Sequence, residues 1–229
     1  MILAILQARM SSSRLPGKVM KPILGMPMIG RQLERLARCA TLERTVVATS
    51  LDESDDGLAE YVERLGVRVF RGSLHDVLGR FQGAAIAHGP AAHVVRLTAD
   101  CPLADPAVID ACVRMHLEAG ADYTSNTVER TFPVGLDVEV MTAEALRLMQ
   151  AEARDPYERE HVTPYLYRHP ERFRIAQLKQ AKDLSARRWT VDTPQDFEFA
   201  SRVYYMLYPT KPAFTQADIL KLPPVRLAA

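Results

Sequence analysis

Short apolar runs alternate with stretches of helical periodicity along the first half of the chain. The apolar runs, which are rich in β-branched residues, cover residues 2–6, 45–49, 67–70 and 93–98. Apolar positions with a helical period occupy residues 27–39, 58–65, 76–88 and 106–118. Because buried strands that alternate with helices form parallel sheets, this pattern predicts an α/β fold with a right-handed, doubly wound, mostly parallel sheet. Ligands bind such sheets where the strands end.

The second half of the chain has a less regular pattern. Residues 136–140 alternate apolar and acidic side chains, which predicts a half-exposed strand from which Asp137 and Glu139 project together. The other predicted elements are strands at 122–125, 173–178 and 188–191 and helices at 143–153, 158–168, 194–207 and 215–220. We expect a single domain over residues 1–229, with a smaller substrate-binding or dimerisation lobe at about 120–185.

Composition narrows the class of protein and of ligand. The chain has 229 residues, 48% hydrophobic and 25% charged, which is ordinary for a globular protein with a sizeable core. The net charge of +1 gives no reason to expect a nucleic-acid or membrane surface, so small anionic ligands are favoured. No apolar run approaches the roughly 18 residues of a membrane span, and no signal-peptide pattern opens the chain. We therefore expect a cytoplasmic protein.

The cysteines predict neither a disulfide framework nor a metal site. Cys39, Cys101 and Cys112 form no C-x-x-C pair, so reduced thiols are expected. Cys112 and His116 stand four residues apart on a predicted helix, which is a metal-ligand spacing. Two ligands without companions seldom make a site, so core packing is the favoured interpretation.

Cationic residues follow the first predicted strand. Arg9, Arg14 and Lys18 are separated by the serines at 11–13 and by a Pro-Gly turn. Guanidinium and ammonium groups, hydroxyls and loop N–H groups together make a phosphate cradle. The alternative is an ordinary solvated loop, but the position at a strand's carboxyl end favours the phosphate interpretation. The loop has neither the Walker A nor the G-x-G-x-x-G pattern.

Two aspartates follow apolar runs far apart in the sequence. Asp100 comes directly after the run at 93–98, and Asp192 precedes the predicted helix at 194–207. Thr193 and Asp196 have the spacing of a capping box, so Asp192 is not needed to cap that helix. The alternative for each aspartate alone is a turn or cap residue. Two carboxylates beside a cationic loop predict a Mg²⁺ site, because Mg²⁺ prefers carboxylates together with substrate phosphates.

Three motifs in order give the chain a resemblance to a known family. Q-A-R-M-S-S-S-R-L-P-G-K at 7–18, T-A-D-C-P-L at 98–103 and V-D-T-P-Q-D at 191–196 resemble the signatures of cytidylyltransferases that make CMP-activated sugar acids. Within that family the chain is similar to the group called spore-coat polysaccharide biosynthesis protein SpsF. The resemblance spans about residues 1–207 and implies a nucleotide-diphosphosugar-transferase-like (GT-A, Rossmann-like) three-layer α/β/α sandwich.

The resemblance also implies roles for individual residues. It implies that Asp100 and Asp192 hold Mg²⁺, that relatives of this chain pair as homodimers, and that CTP is the nucleotide. The residues implied to bind that nucleotide are Gln7, Arg9, Ser12, Arg14 and Lys18 around the triphosphate, and Thr49, Asp52, Arg71 and Gly72 around the base and ribose. The family usually has P-A-R and Q-G-D where this chain has Q-A-R and T-A-D. Neither the acceptor nor a strict choice of CTP therefore follows from the resemblance.

The implied reaction is attack by an acceptor oxygen on the α-phosphorus of CTP, with pyrophosphate leaving. Arg14 and Lys18 would offset phosphate charge, and Asp192, Asp137 or Glu139 would activate the acceptor, a small anionic sugar or polyol. Candidate acceptor-binding residues are Arg130, Asp137, Glu139, Glu158 and His161. For Glu158 and His161 a solvated helix face is an equal alternative.

Two other functions stay open at this point. A glycosyltransferase of the same general fold commonly carries an Asp-x-Asp metal motif, but here Pro102 stands at the second position. A regulatory protein that binds nucleotide without turnover is disfavoured because both Asp100 and Asp192 are present.

Overall fold

A seven-stranded, mostly parallel sheet organises the protein, of which the computed structural model describes residues 1–223. The strand order is β5-β4-β1-β6-β8-β7-β9, and only β8 runs antiparallel to its neighbours. A separate hairpin pairs β2 with β3. The strands are β1 Ile2–Gln7, β2 Pro22–Ile23, β3 Met26–Pro27, β4 Arg44–Ser50, β5 Arg68–Gly72, β6 His93–Thr98, β7 Tyr123–Ser125, β8 Glu139–Thr142 and β9 Ile175–Gln177.

Helices cover both faces of the sheet and bury two apolar clusters. The described helices are α1 Met28–Leu36, α2 Asp56–Arg64, α3 Val77–His88, α4 Pro106–Ala119, α5 Ala143–Glu152, α6 Pro156–His161, α7 Pro164–Arg168, α8 Pro194–Leu207 and α9 Gln216–Leu220. Side chains of β1 alternate between the clusters, with Ala4 and Leu6 in one and Leu3 and Ile5 in the other. The first cluster contains residues of α1, α2, α4 and α8, and the second residues of α3, α5 and α7. The predicted α/β/α architecture is confirmed.

Three local predictions are wrong. Residues 188–191, predicted as a strand, make only an isolated bridge between Val134 and Arg188. The helix predicted over 158–168 is two short helices, because Val162 has a positive φ of 71° and Pro164 starts α7. The predicted half-exposed strand at 136–140 instead begins at Glu139, whose side chain is buried.

The segment at 120–185 contributes strands to the main sheet. It supplies β7, β8 and β9, which extend the sheet beyond β6. Its role in acceptor binding or dimerisation stays a prediction, and residues 224–229 of the predicted domain lie outside the described part. Within residues 1–223, no helix is long and apolar enough to cross a membrane.

Candidate active site

A cavity of about 330 Å³ opens at the carboxyl ends of β1 and β6. These strands are parallel neighbours, and their register places Gln7 beside Thr98. The chain segments that follow the two strands therefore begin side by side. The polar lining consists of Gln7, Arg9, Ser12, Ser13, Arg14, Lys18, Arg80, Arg96, Thr98, Asp100, His161 and Asp192.

Backbone and side-chain hydrogen bonds fix the cationic loop at its entry to the cavity. The carbonyl of Met10 accepts from the N–H groups of Ser12 and Gly17, both at 2.9 Å. Gly17 has a φ of 67°, a left-handed conformation that glycine adopts without steric cost. The Met10 N–H donates to Asp55 Oδ1 at 2.7 Å. Asp55 is buried and also accepts from the Ser50 N–H at 3.0 Å, so it ties the loop to the end of β4.

Asp192 lies among three cations. Lys18 Nζ donates to Asp192 Oδ1 at 2.9 Å and to the Val191 carbonyl at 2.6 Å. Asp192 Oδ2 lies 3.1 Å from Arg14 Nη2 and also accepts from Arg188. Burial acts to raise the pKa of Asp192, but the Lys18 and Arg188 hydrogen bonds and the Arg14 charge together lower it. The carboxylate is therefore held in its ionised form.

Asp100 has a different set of partners. The Thr98 hydroxyl donates to its Oδ1 at 2.5 Å, and the Cys101 thiol lies 3.3 Å from the same oxygen. No hydrogen bond from residues 1–223 reaches Oδ2. The Val191 N–H donates to the Asp100 carbonyl at 2.8 Å, which joins the backbones of the two aspartate segments.

The donor set at the cavity fits Mg²⁺ held jointly by protein and phosphates. Asp100 and Asp192 offer hard carboxylate oxygens in one cavity with cations suited to phosphates. Across the described part of the chain, no three His, Cys, Asp or Glu side chains lie together so as to hold a metal ion. An all-protein cage is thus missing there, and Mg²⁺ typically uses one or two carboxylates completed by substrate oxygens and water.

The residues expected around base and ribose lie beside β4 and β5, outside the cavity lining, and have partners within the protein. Thr49 is buried and donates to Asp55 Oδ2 at 2.8 Å. Asp52 caps the turn at Glu53–Asp55 through the Ser54 N–H, and Gly72 accepts from the Leu51 N–H. Arg71 donates to the Ser50 carbonyl at 2.8 Å. Their role in nucleotide binding stays a prediction.

Most of the expected acceptor residues also have partners within the protein. Arg130 donates two hydrogen bonds to Asp137, at 2.5 and 3.0 Å, so its charge is already matched. Glu158 accepts from Arg168 at 3.2 Å. Glu139 lies buried in the sheet, contrary to the predicted exposure of that face. His161 lines the cavity.

Two arginines of the cavity were absent from the sequence-based candidates. Arg80 is only 2% exposed on α3, and burial together with the Arg9 charge lowers its pKa to about 10. Arg96 lies within the apolar strand β6. A sequence signal existed for both, since each is a lone cation at a position where the apolar pattern predicts a buried side chain.

Comparison with known proteins places the chain in a family. The sequence profile of the cytidylyltransferase family matches residues 3–218. The spore coat polysaccharide biosynthesis protein SpsF of Bacillus subtilis is 35% identical over 210 residues, which cover 89% of this chain and 86% of that protein. The 3-deoxy-manno-octulosonate cytidylyltransferase of Geobacter sulfurreducens is 37% identical over 113 residues, covering 49% of this chain and 44% of that protein.

A solved structure agrees with the sequence comparison. A cytidylyltransferase from Leptospira borgpetersenii superimposes with a TM-score of 0.91 at 34% identity, covering 96% of this chain and 92% of that chain. The likeness therefore extends over nearly the whole fold. The chain belongs to the cytidylyltransferase family, and it is an enzyme of the nucleotidyltransferase class.

Proposed function

We propose that the enzyme transfers CMP from CTP to a sugar acid or a related anionic acceptor, releases pyrophosphate, and supplies a surface polysaccharide or glycan. The observation that carries the proposal is the cavity at the ends of β1 and β6, where Arg14 and Lys18 lie with Asp100 and Asp192. The names of the Bacillus and Geobacter relatives support the polysaccharide role and the sugar-acid acceptor.

Charge neutralisation and positioning are the main contributions of the protein in this reaction. An acceptor oxygen forms a bond to the α-phosphorus while the bond to the bridging oxygen breaks, and pyrophosphate leaves with that electron pair. Arg9, Arg14 and Lys18 bind and orient the phosphates, whose charge they offset. Asp100 and Asp192 would hold Mg²⁺, which supplies further neutralisation of phosphate charge when bound.

The acceptor hydroxyl has to lose a proton during the attack. Among the carboxylates considered for this step, Asp192 lines the cavity, whereas Glu139 is buried and Asp137 is paired with Arg130. Of the three, only Asp192 lies in the cavity, and the cations that lower its pKa favour its role as a Mg²⁺ ligand over that of a proton acceptor. The same residue would have to exchange part of its contact with Lys18 and Arg14 when a triphosphate arrives.

A pyrophosphate-release assay tests the proposal. Each of the four nucleoside triphosphates is incubated with Mg²⁺ and with separate pools of sugar acids, sugar phosphates and polyol phosphates. We expect release that needs CTP and the sugar-acid pool together. Release with another nucleotide or another pool would show that the proposed substrate is wrong. No pyrophosphate release in any combination, despite measurable CTP binding, would contradict the proposed transferase activity. Nucleoside diphosphate release from nucleotide sugars, measured in parallel, would instead indicate glycosyl transfer.

A further inference from the structure

A charged pair connects the cavity with the part of the sheet beyond β6. Arg96 of β6 and Glu139 of β8 stand directly opposite each other in the antiparallel register. Their side chains are 15% and 6% exposed and form an ion pair. Because cross-strand partners share a face, the register itself brings the two charges together.

Glu139 uses both of its oxygens in this arrangement. Its Oε2 accepts from Arg96. Its Oε1 accepts from the Tyr123 hydroxyl at 2.5 Å and from the Thr163 hydroxyl at 2.6 Å. A buried carboxylate with this many donors is fixed in position. It therefore holds the guanidinium of Arg96 in one place.

Arg96 keeps hydrogen-bonding capacity at the cavity. Its Nη2 lies 3.4 Å from Gln7 Oε1, a long contact that leaves this nitrogen available to a ligand, whereas its Nε is buried and has no hydrogen-bond partner among the described residues. Its side chain lines the cavity together with His161 and Asp100. A guanidinium that is ion-paired through one nitrogen and only weakly bonded through another, beside a reaction site, keeps a donor for an anionic group of a ligand.

A strained turn brings His161 to the same wall. Val162 is fully buried and has φ 71° and ψ −65°, and the Thr163 N–H donates to the His161 carbonyl at 2.9 Å. This three-residue turn is unfavourable for a β-branched residue, so surrounding contacts have to maintain it. The Thr163 hydroxyl bond to Glu139 is one of them. Glu139 thus positions Arg96 directly and His161 through Thr163.

We propose that Arg96, held by Glu139, binds the carboxylate of the acceptor, and that Glu139 and Thr163 are positioning residues for this contact. The inference rests on the proposed function, and it identifies Arg96 as the residue that recognises the negative charge of the acceptor. The loop cations are already present for the triphosphate, whereas Arg96 is anchored by Glu139, which Tyr123 and Thr163 hold in turn. A guanidinium fork matches a carboxylate, which an ammonium group does not reproduce.

The test compares two probes that differ by one charge. The probes are 3-deoxy-manno-octulosonate and its methyl ester; pyrophosphate release gives the KM for each, and calorimetry gives the Kd for CTP. In Arg96→Lys we expect the KM for the acid to rise about 10- to 100-fold, the loss typical of a charged hydrogen bond. The preference for the acid over the ester should shrink with it, and the Kd for CTP should stay within about twofold.

Further variants separate positioning from folding. Glu139→Gln and Thr163→Val should raise the KM for the acid with an unchanged Kd for CTP, Thr163→Val less strongly because Tyr123 still supports Glu139. The matched control is Glu152→Gln: Glu152 also pairs with an arginine, Arg172 at 2.6 Å, but does not line the cavity. The control should bind CTP and acid as the unmodified enzyme does.

The outcomes distinguish this inference from the proposed function. Unmodified enzyme that turns over the acid while Arg96→Lys leaves its KM unchanged would keep the function and overturn the role of Arg96. An equal weakening of CTP binding in Arg96→Lys would assign Arg96 to the triphosphate and also overturn it. Unmodified enzyme that binds CTP but turns over none of the sugar acids in the pool, this one included, would contradict both the sugar-acid proposal and the role of Arg96.

Discussion

Asp100 and Asp192, the two predicted metal ligands, stand in different electrostatic settings. Asp192 touches Lys18, Arg14 and Arg188, so it contributes to the folded structure as well as to the candidate site. Asp100 accepts hydrogen bonds from Thr98 and Cys101, which carry no formal charge. The same substitution should therefore have different effects at the two positions.

Asp100→Asn and Asp192→Asn should both abolish pyrophosphate release but differ in stability. Asp100→Asn should change the free energy of unfolding little, because neutral neighbours lose no charge partner. Asp192→Asn should lower the free energy of unfolding by about 1–2 kcal/mol. The buried Lys18 would lose its charge partner, whereas the partly solvated Arg14 and Arg188 would lose little. Urea unfolding of both variants measures the difference. Near-normal turnover with Mg²⁺ in either variant would show that its carboxylate is not a required ligand.

Helix α8 shows how far element boundaries follow from local chemistry. The sequence places Thr193 at the N-cap, Pro194 in the first turn and Asp196 as the reciprocal partner, and the structure contains this capping box. The helix spans the predicted residues 194–207. Because the start of α8 depends only on residues that are neighbours in the sequence, it could be predicted from the sequence alone.

Removing the cap of α8 should destabilise the protein measurably. In Thr193→Ala the Asp196 N–H loses its 3.2 Å acceptor, which should lower the free energy of unfolding by about 1 kcal/mol. Thr193→Ser is the matched control because it keeps the hydroxyl. Chemical denaturation of the pair measures the effect, and equal stability of the two variants would contradict a role for the hydroxyl.

Elements whose form depends on distant contacts were predicted poorly. The turn at Val162 is held in part by Glu139, 24 residues from Thr163, and the pattern at 158–168 gives no sign of it. The run at 188–191 is apolar enough for a strand, but it contacts other segments through single hydrogen bonds such as that from Trp189 to Val134. Local propensity does not contain such information.

A histidine pair between α4 and β6 should make stability depend on pH. His116 Nε2 lies 3.0 Å from His93 Nδ1, and His116 Nδ1 lies 3.0 Å from the Thr124 hydroxyl. Burial and the neighbouring His93 lower the pKa of His116 from 6.5 to about 4. The unfolded chain then binds the proton more readily than the folded protein between these values. The contribution of neutral His116 to the stability of the fold is therefore complete above pH 6.5 and is lost as the pH falls toward 4.

The size of this effect follows from the pKa difference. From pH 7 to pH 5 the lowered pKa of His116 should reduce the free energy of unfolding by on the order of 2 kcal/mol. Urea titrations at both pH values measure it in the unmodified protein and in His116→Asn, which should lose most of that dependence. Replacement of the exposed His75 by Gln is the control. An unchanged pH dependence in His116→Asn would contradict the assignment.

At the scale of the whole molecule, the sequence predicted the parts of the site that come from loops. Arg14, Lys18, Asp100 and Asp192 were identified from motifs that follow apolar runs, and the fold brings them to one cavity. Arg96 was missed because its importance depends on the pairing of β6 with β8. That pairing is antiparallel and crosses 43 residues, so the alternation of strands and helices does not reveal it.

The fold also leaves apolar side chains exposed where we expect a second copy to dock. Val128 and Tyr157, both in the segment at 120–185, are 45% and 48% exposed. Specific interfaces bury about 800 Å² on each partner, and their cores are enriched in aromatic side chains such as Tyr157. Together with the pairing that the family resemblance implies, these side chains lead us to propose that the enzyme is a homodimer paired through this segment.

Sedimentation at micromolar concentration tests the dimer. The unmodified protein should sediment at twice the chain mass, and Val128→Glu should shift it toward the monomer, because an unpaired charge buried in an interface costs several kcal/mol. Ile86→Glu is the matched control, since Ile86 is 74% exposed on α3 and lies outside the segment. A purely monomeric unmodified protein would contradict the proposal, and dissociation by Ile86→Glu alone would move the interface to the face that carries α3.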